Sequence, residues 1–300
     1  MSLIGKYQNG NYTVQIFDDG TKIRENDLDF FEPEFPESMD IKITNSCDRN
    51  CPFCHEASTP HGKHGDILNL PFIDTLHPFT ELAIGGGNPL SHPDLIPFLE
   101  KLKERNLIPS MTVNQVHFLQ NLTLLKQLTD EKLIYGLGVS YTPDLILGGN
   151  NSLKDALRQF PNAVIHVING IISVDELKSR AGCGFKLLIL GYKDFRRGST
   201  NLSANYEGIQ TRQRELYDML PKIIEEKWFK VVSFDNLAIQ QLDVKRLMTE
   251  EAWQRFYMGD DGGFTMYIDA VNEEYAVSSV STERYKLKNN IREMFETIRK

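Results

Sequence analysis

Residues 41–56 read IKITNSCDRNCPFCHE. The apolar, β-branched run 41–44 has strand character. It leads straight into a polar loop that carries Cys47, Cys51 and Cys54 within eight residues, while the fourth cysteine of the chain, Cys183, is far away. Three thiolates on one short loop can hold three corners of a metal centre and leave the fourth corner to another ligand. Soft thiolates favour zinc or iron–sulfur. Structural zinc wants four protein ligands, usually in two separated pairs. The C-x3-C-x2-C spacing supplies three, and His55, His61 or His64 offers a fourth.

Outward from this loop, short apolar runs alternate with helical patterns between residues 40 and 198. The runs are 41–44, 81–85, 110–113, 134–140, 163–168 and 185–191. Leu95, Phe98, Leu99 and Leu102 recur at helical spacing behind Pro93, and residues 117–128 and 151–159 repeat the pattern. Ser173 and Glu176 form a capping-box pair ahead of another helix. Repeated βα units with short links imply parallel strands and right-handed crossovers. The expected fold is α/β, a partial (β/α)6 TIM-like barrel over residues 40–198. Ahead of it, residues 1–39 read as a β-hairpin turning at Asp19-Gly20, followed by a proline-bearing linker. Behind it, residues 199–300 read as an α+β extension: a helix over 205–227, a seventh strand at 229–234, two antiparallel strands around Asn272-Glu273, and a closing helix over 282–299.

Composition narrows the function classes. The 300 residues are 41% hydrophobic and 25% charged, which suits a globular chain with a real core. No apolar run reaches the ~18 residues of a membrane helix, so a membrane partner is not expected. A net charge of −8 disfavours binding to duplex nucleic acid, which needs a dense cationic surface. The first residues lack a basic and then apolar secretory pattern, so a reducing, cytoplasmic setting is expected and a disulfide framework is not.

The C-x3-C-x-φ-C pattern, with Phe53 before its last cysteine and a strand of a βα series before its first, resembles the radical S-adenosylmethionine (radical SAM) superfamily. The resemblance covers residues 40–195 and reaches toward Asp235. It implies that Cys47, Cys51 and Cys54 hold a [4Fe–4S] cluster and that S-adenosylmethionine (SAM) chelates the fourth iron. One electron from the reduced cluster would release a 5′-deoxyadenosyl radical that abstracts hydrogen from a substrate. An electron donor such as flavodoxin or ferredoxin and an oxygen-sensitive protein are further implications. Phe53 would contact the adenine. Gly85-Gly86-Gly87-Asn88-Pro89 stands where members carry Gly-Gly-Glu-Pro, whose backbone meets the methionine amino group. Here Gly87 replaces the Glu and Asn88 is inserted, so the carboxylate role is in doubt, with Asn88 a polar substitute. Asn114, Ser140 and Asn169 are further cofactor-binding candidates by strand position, beside Thr112. His166 shares a face with Val164 and Ile168, which suits a packed core histidine equally well.

For substrate, Lys193, Arg196 and Arg197 place three cations within five residues after the sixth strand, a potential clamp for carboxylate or phosphate. Asp235 ends the seventh strand. Tyr141 and Tyr192 are candidate hydrogen donors. Cys183, ahead of the sixth strand, falls at the far end of the barrel and reads as a small buried residue. The substrate itself is unidentified, a small polar metabolite or nucleotide, or a peptide. Two other classes stay open: a member that binds SAM or a cluster without cleaving it, and a zinc-bound structural module.

Overall fold

The structure is a computed structural model that describes residues 2–28, 30–142 and 149–299. It opens with β1 (Leu3–Asn9), β2 (Tyr12–Phe17) and β3 (Lys22–Glu25), an antiparallel sheet in that order. The expected hairpin is therefore one strand short. β1 buries Gly5, Tyr7 and Asn9, and two of these three inward residues carry no apolar signal. Phe79 fills the space that a side chain at Gly5 would take, 2.6 Å from its would-be Cβ.

β4 (Ser38–Thr44) and β5 (Glu81–Gly86) then lead into repeated βα units. In chain order these add α1 (Leu95–Glu104), β6 (Ile108–Asn114), α2 (Gln115–Gln120), α3 (Leu122–Asp130), β7 (Gly136–Ser140), α4 (Gly149–Leu157), β8 (Ala163–Ile168), α5 (Val174–Lys178), β9 (Lys186–Leu190), α6 (Arg197–Ala204), α7 (Tyr206–Glu225) and β10 (Val231–Phe234). The chain closes with α8 (Asn236–Gln241), α9 (Glu250–Phe256), β11 (Thr265–Asp269), β12 (Glu274–Ala276), β13 (Tyr285–Lys286) and α10 (Ile291–Ile298). The Ser173–Glu176 capping box forms as expected. The closing helix is shorter than expected, because Asn290 accepts from the backbone N–H groups of Arg292 and Glu293 and starts it there.

Among the described residues the main sheet runs β10-β9-β8-β7-β6-β5-β4-β11-β12-β13, open at both ends rather than closed into a barrel. Every neighbouring pair from β10 to β11 is parallel. The C-terminal segment thus does not stand apart from the sheet: β10 extends one side, and β11 lies against β4 on the other. β11 and β12 are antiparallel, as expected.

Strand alternation separates two faces. Met39, Ile41, Ile43, Leu82, Ile84, Met111, Val113, Val139, Ile165, Val167, Leu187 and Ile189 belong to the buried core, which also takes in Phe98 and Leu99 of α1 and Leu216 and Leu220 of α7. The alternate positions on β5, β6 and β7 are Ala83 and Gly85, Ser110, Thr112 and Asn114, and Gly136, Gly138 and Ser140. A barrel interior is ordinarily filled by bulky branched side chains. Small and polar residues here leave the concave face hollow, and cavities line it.

The small N-terminal sheet covers the N-terminal end of these strands. Lys22 ion-pairs with Glu81, Asn162 Nδ2 donates to the Asp18 carbonyl at 3.0 Å, and Lys186 Nζ donates to the Asp19 carbonyl at 3.3 Å. Beneath it Glu37 is fully buried, taking Arg24 at 2.7 and 2.9 Å, Lys22 at 3.2 Å and the Tyr12 hydroxyl at 2.6 Å. Burial alone would raise the Glu37 pKa, but Arg24 and Lys22 outweigh it and hold the carboxyl below its usual value. Its contribution to stability is therefore complete above the unfolded pKa and lost as pH falls through the folded one. Glu37→Gln leaves Arg24 and Lys22 without their shared charge, and should destabilise by about 3–5 kcal/mol at neutral pH. The deficit should shrink on acidification below about pH 4; urea melts of both proteins across that range would check it.

Candidate functional site

The cysteine loop begins where β4 ends. Its backbone is pinned on both sides: the N–H groups of Gly87 and Asn88 donate to the carbonyls of Thr44 and Ser46, both at 2.7 Å, while Cys47 N–H donates to Thr59 O at 2.9 Å. A tight turn brings Cys54 N–H to Cys51 O at 3.2 Å, and Asn50 adopts a left-handed φ of 47° on the way. Asp48 accepts from His117 of α2 at 2.6 Å, and Arg197 reaches Asn50 and the Ser58 carbonyl.

Cys47, Cys51 and Cys54 are free, half-buried thiols that line one cavity of about 250 Å³ at the C-terminal ends of the strands. Phe53, Gly85, Gly86, Gly87, Asn114, Ser140, Tyr141, Tyr192 and Lys193 line it too, with Thr112 and His166. Burial pushes the Cys51 thiol up to about 11, helped by the neighbouring Cys54 and Cys47, and burial raises Cys47 as well. Three thiolates so placed repel one another, and a cationic centre between them would relieve this. Among the described residues, no three Cys, His, Asp or Glu side chains converge tightly enough for a single metal ion. The donor set suits a larger sulfur-bridged centre with a fourth position open.

The glycines divide by role. At Gly86, with φ +115°, and at Gly87, an added Cβ would meet backbone, 2.4 Å from Thr44 O and 2.3 Å from Ser46 O respectively. At Gly85 it would meet nothing within 4 Å, because that position faces the open cavity. Gly138 lies under the His166 ring: a Cβ there would stand 2.3 Å from His166 Cε1 and 2.7 Å from Thr112 Oγ1. Burial lowers the His166 pKa to about 4, so its ring is neutral at physiological pH.

Asn88, Asn169, Arg196, Arg197 and Asp235 do not line this cavity. Asn88 caps the turn 89–91, its side chain accepting from Leu90 N at 3.2 Å. Asn169 is buried against Gln241, donating at 3.1 Å. Arg196 pairs with Glu56 at 3.1 Å, and Arg197 is held on the cysteine loop as above. Lys193 donates to Ser279 Oγ at 2.8 Å, and it lines both this cavity and a neighbouring one of about 530 Å³. Asp235 faces that second cavity, capping α8 through Ala238 N and accepting from Gly191 N, both at 2.8 Å. Burial pushes its carboxyl up. Tyr192 is engaged by Gly198 O and Asn201, each at 2.9 Å, and Tyr141 lies under the Arg180 guanidinium. His61 is exposed, His64 pairs with Thr44 Oγ1 at 2.9 Å, and Cys183 lies ahead of β9, at the end remote from the loop.

Lys42, Glu56 and Asp269 carry no sequence motif, yet they form a buried ionic group directly beneath the loop. The available signal was a lysine set between Ile41 and Ile43 in a strand. A buried ammonium requires a carboxylate partner.

No protein-family model matches the chain, and no curated protein matches it in sequence. Among solved structures it is similar to Streptococcus suis SuiB bound to S-adenosylmethionine (14% identity, TM-score 0.53), covering 88% of this chain and 64% of that one. It is equally similar to SuiB bound to precursor peptide SuiA (14% identity, TM-score 0.55), covering 88% of this chain and 65% of that one. At this identity the likeness is one of fold, and this chain spans less than two thirds of SuiB's length.

Proposed function

We propose that this protein is a radical SAM enzyme with one [4Fe–4S] cluster, built on a partial barrel of the family's type. One observation carries the reading: three free thiols share a single cavity with the Gly85–Gly87 strand end, Phe53 and Ser140, at the C-terminal ends of parallel strands. Cys47, Cys51 and Cys54 would hold the cluster, whose chemistry is one-electron cleavage of SAM to methionine and a 5′-deoxyadenosyl radical. The protein supplies orientation and excludes water. Gly85, lacking a Cβ, lets a ligand amino group approach the backbone. Phe53 and Ser140 bracket the nucleoside side of the cavity. His166 and Thr112 close on the same lining beside Gly138, where a substrate would meet the radical. That a fold so similar has been seen with S-adenosylmethionine supports the cofactor.

The substrate is a peptide in this reading. Of the three cations in the loop after β9, only Lys193 lines the cavity, which weakens the case for a phosphate clamp. SuiB, the similar fold, has been seen with a precursor peptide. A second reading, a member that binds SAM without cleaving it, is favoured by one observation: the Asn88 side chain is engaged at Leu90 N and does not replace the missing carboxylate.

One assay separates the two. Protein purified and reconstituted without oxygen should contain about four irons per chain. Given dithionite, or reduced flavodoxin or ferredoxin, and SAM, it should release 5′-deoxyadenosine. A full cluster without nucleoside would establish the second reading, and zinc in place of iron would sink both.

A further inference from the structure

We infer that Glu56 is the positioning residue of the cysteine loop, locking the Cys54 end of the loop to three separate elements of the fold. The inference rests on the proposed cluster. Glu56 follows Cys54 by two residues and is buried, its side chain 7% exposed. One carboxylate oxygen takes Lys42 of β4 at 2.9 Å and Arg196, from the loop after β9, at 3.1 Å. The other accepts from the Tyr267 hydroxyl of β11 at 3.1 Å. Arg196 also donates to the Glu56 carbonyl at 3.1 Å, so backbone and side chain are held together. Lys42, 1% exposed, divides its charge between Glu56 and Asp269, the latter at 3.0 Å. Asp269 in turn closes the turn after β11, accepting from Val271 N, Asn272 N and Asn272 Nδ2.

The physics argues against stability as the purpose. Desolvation offsets much of the attraction in a buried ion pair, and an apolar group of similar volume often serves stability as well or better. What a multiply bonded buried carboxylate supplies is a fixed direction. Here it fixes the chain segment that presents the third thiol, and it does so from β4, the β9 loop and β11 at once. The placement of β11 beside β4 gains a purpose in the site: it brings Tyr267 and Asp269 within reach of Glu56 and Lys42.

The test compares full-length protein with Glu56→Gln, Tyr267→Phe and Asp269→Asn, each reconstituted anaerobically, reading iron per chain and the EPR spectrum of the dithionite-reduced protein. Glu56→Gln keeps the shape and removes the charge. It should lose at least half of its iron and show a shifted or broadened spectrum. Tyr267→Phe removes one hydrogen bond and should shift the spectrum with iron retained. Asp269→Asn weakens the same ionic group without touching the loop; it should melt at lower temperature yet load iron and give the parent spectrum. Parent-like iron and spectrum in Glu56→Gln overturn the inference, as does an iron loss in Asp269→Asn as large as in Glu56→Gln. Should Glu56→Gln fail to fold, a parent-like spectrum in Tyr267→Phe overturns it. A parent protein that takes up no iron removes the proposed function and this inference with it, whereas a loaded parent matched by Glu56→Gln removes the inference alone.

Discussion

Cys51→Ala is expected to fold as the parent does, to retain less than about one iron per chain after anaerobic reconstitution, and to release 5′-deoxyadenosine at background level. The Cys51 thiol is half-buried and lines a cavity, so its loss opens no gap in the packed core and folding should change little. The severe effect on iron follows from the donor count. Three thiols face the cavity, and removing one leaves two; the imidazoles that also line it, His55 and His166, are harder donors than thiolate and suit an iron–sulfur centre less. Loss of a contact that merely supports a metal ligand lowers affinity or activity about 10–100-fold, and loss of the ligand itself should exceed that. Cys183→Ala provides the contrast, because its position ahead of β9 is remote from the loop; iron content and nucleoside release should match the parent. Iron retained in Cys51→Ala would end the three-cysteine assignment. Colorimetric iron determination and a chromatographic assay for the nucleoside suffice to decide it.

How far the residues alone lead differs between the parallel strands and what surrounds them. The runs behind β4 to β10 were legible because each is a short apolar stretch bounded by turn residues, with helical periodicity between them. The cysteine loop was legible for the same local reason, since it sits directly behind a strand. β1 was not, because Gly5 and Asn9 occupy inward positions and break the alternation that marks a half-buried strand. The pairing of β11 with β4 was not legible either. It joins segments more than two hundred residues apart, and parallel pairing between them leaves no local signature. This one pairing decides much of the site, since only through it does Tyr267 reach Glu56 and Asp269 reach Lys42. The fate of Arg196 and Arg197 was hidden in the same way. Three cations in a loop look alike in one dimension, and only the fold turns Arg196 onto Glu56 and Arg197 onto Asn50 and Ser58, leaving Lys193 at the cavity.

Three successive glycines are expected to behave as two different kinds of residue, and their substitution tests the assignment of the cavity without any knowledge of the substrate. Gly87→Ala forces a methyl to 2.3 Å from Ser46 O, and Gly86→Ala adds a side chain at φ +115° and 2.4 Å from Thr44 O. Both obstacles are backbone, and both lie where the strand end hydrogen-bonds to the start of the cysteine loop. Neither can turn aside as a flexible side chain would. A strained position of this sort costs about 1–3 kcal/mol, and the displaced loop should bind less iron, so both variants should melt lower and load poorly. Gly85→Ala meets nothing within 4 Å and needs no positive φ. It should melt with the parent and load iron with the parent. Its methyl, however, projects into the cavity shared with the three thiols, where the amino group of SAM would approach the backbone. SAM affinity of the reconstituted, unreduced protein should therefore fall about tenfold or more, equivalent to roughly 1.4 kcal/mol or above, as read by equilibrium dialysis. Parent-like SAM binding in Gly85→Ala would place the ligand elsewhere in the cavity. Iron loss in Gly85→Ala equal to that in Gly87→Ala would mean that the whole glycine run serves the loop's fold, and that the open face at Gly85 holds no ligand.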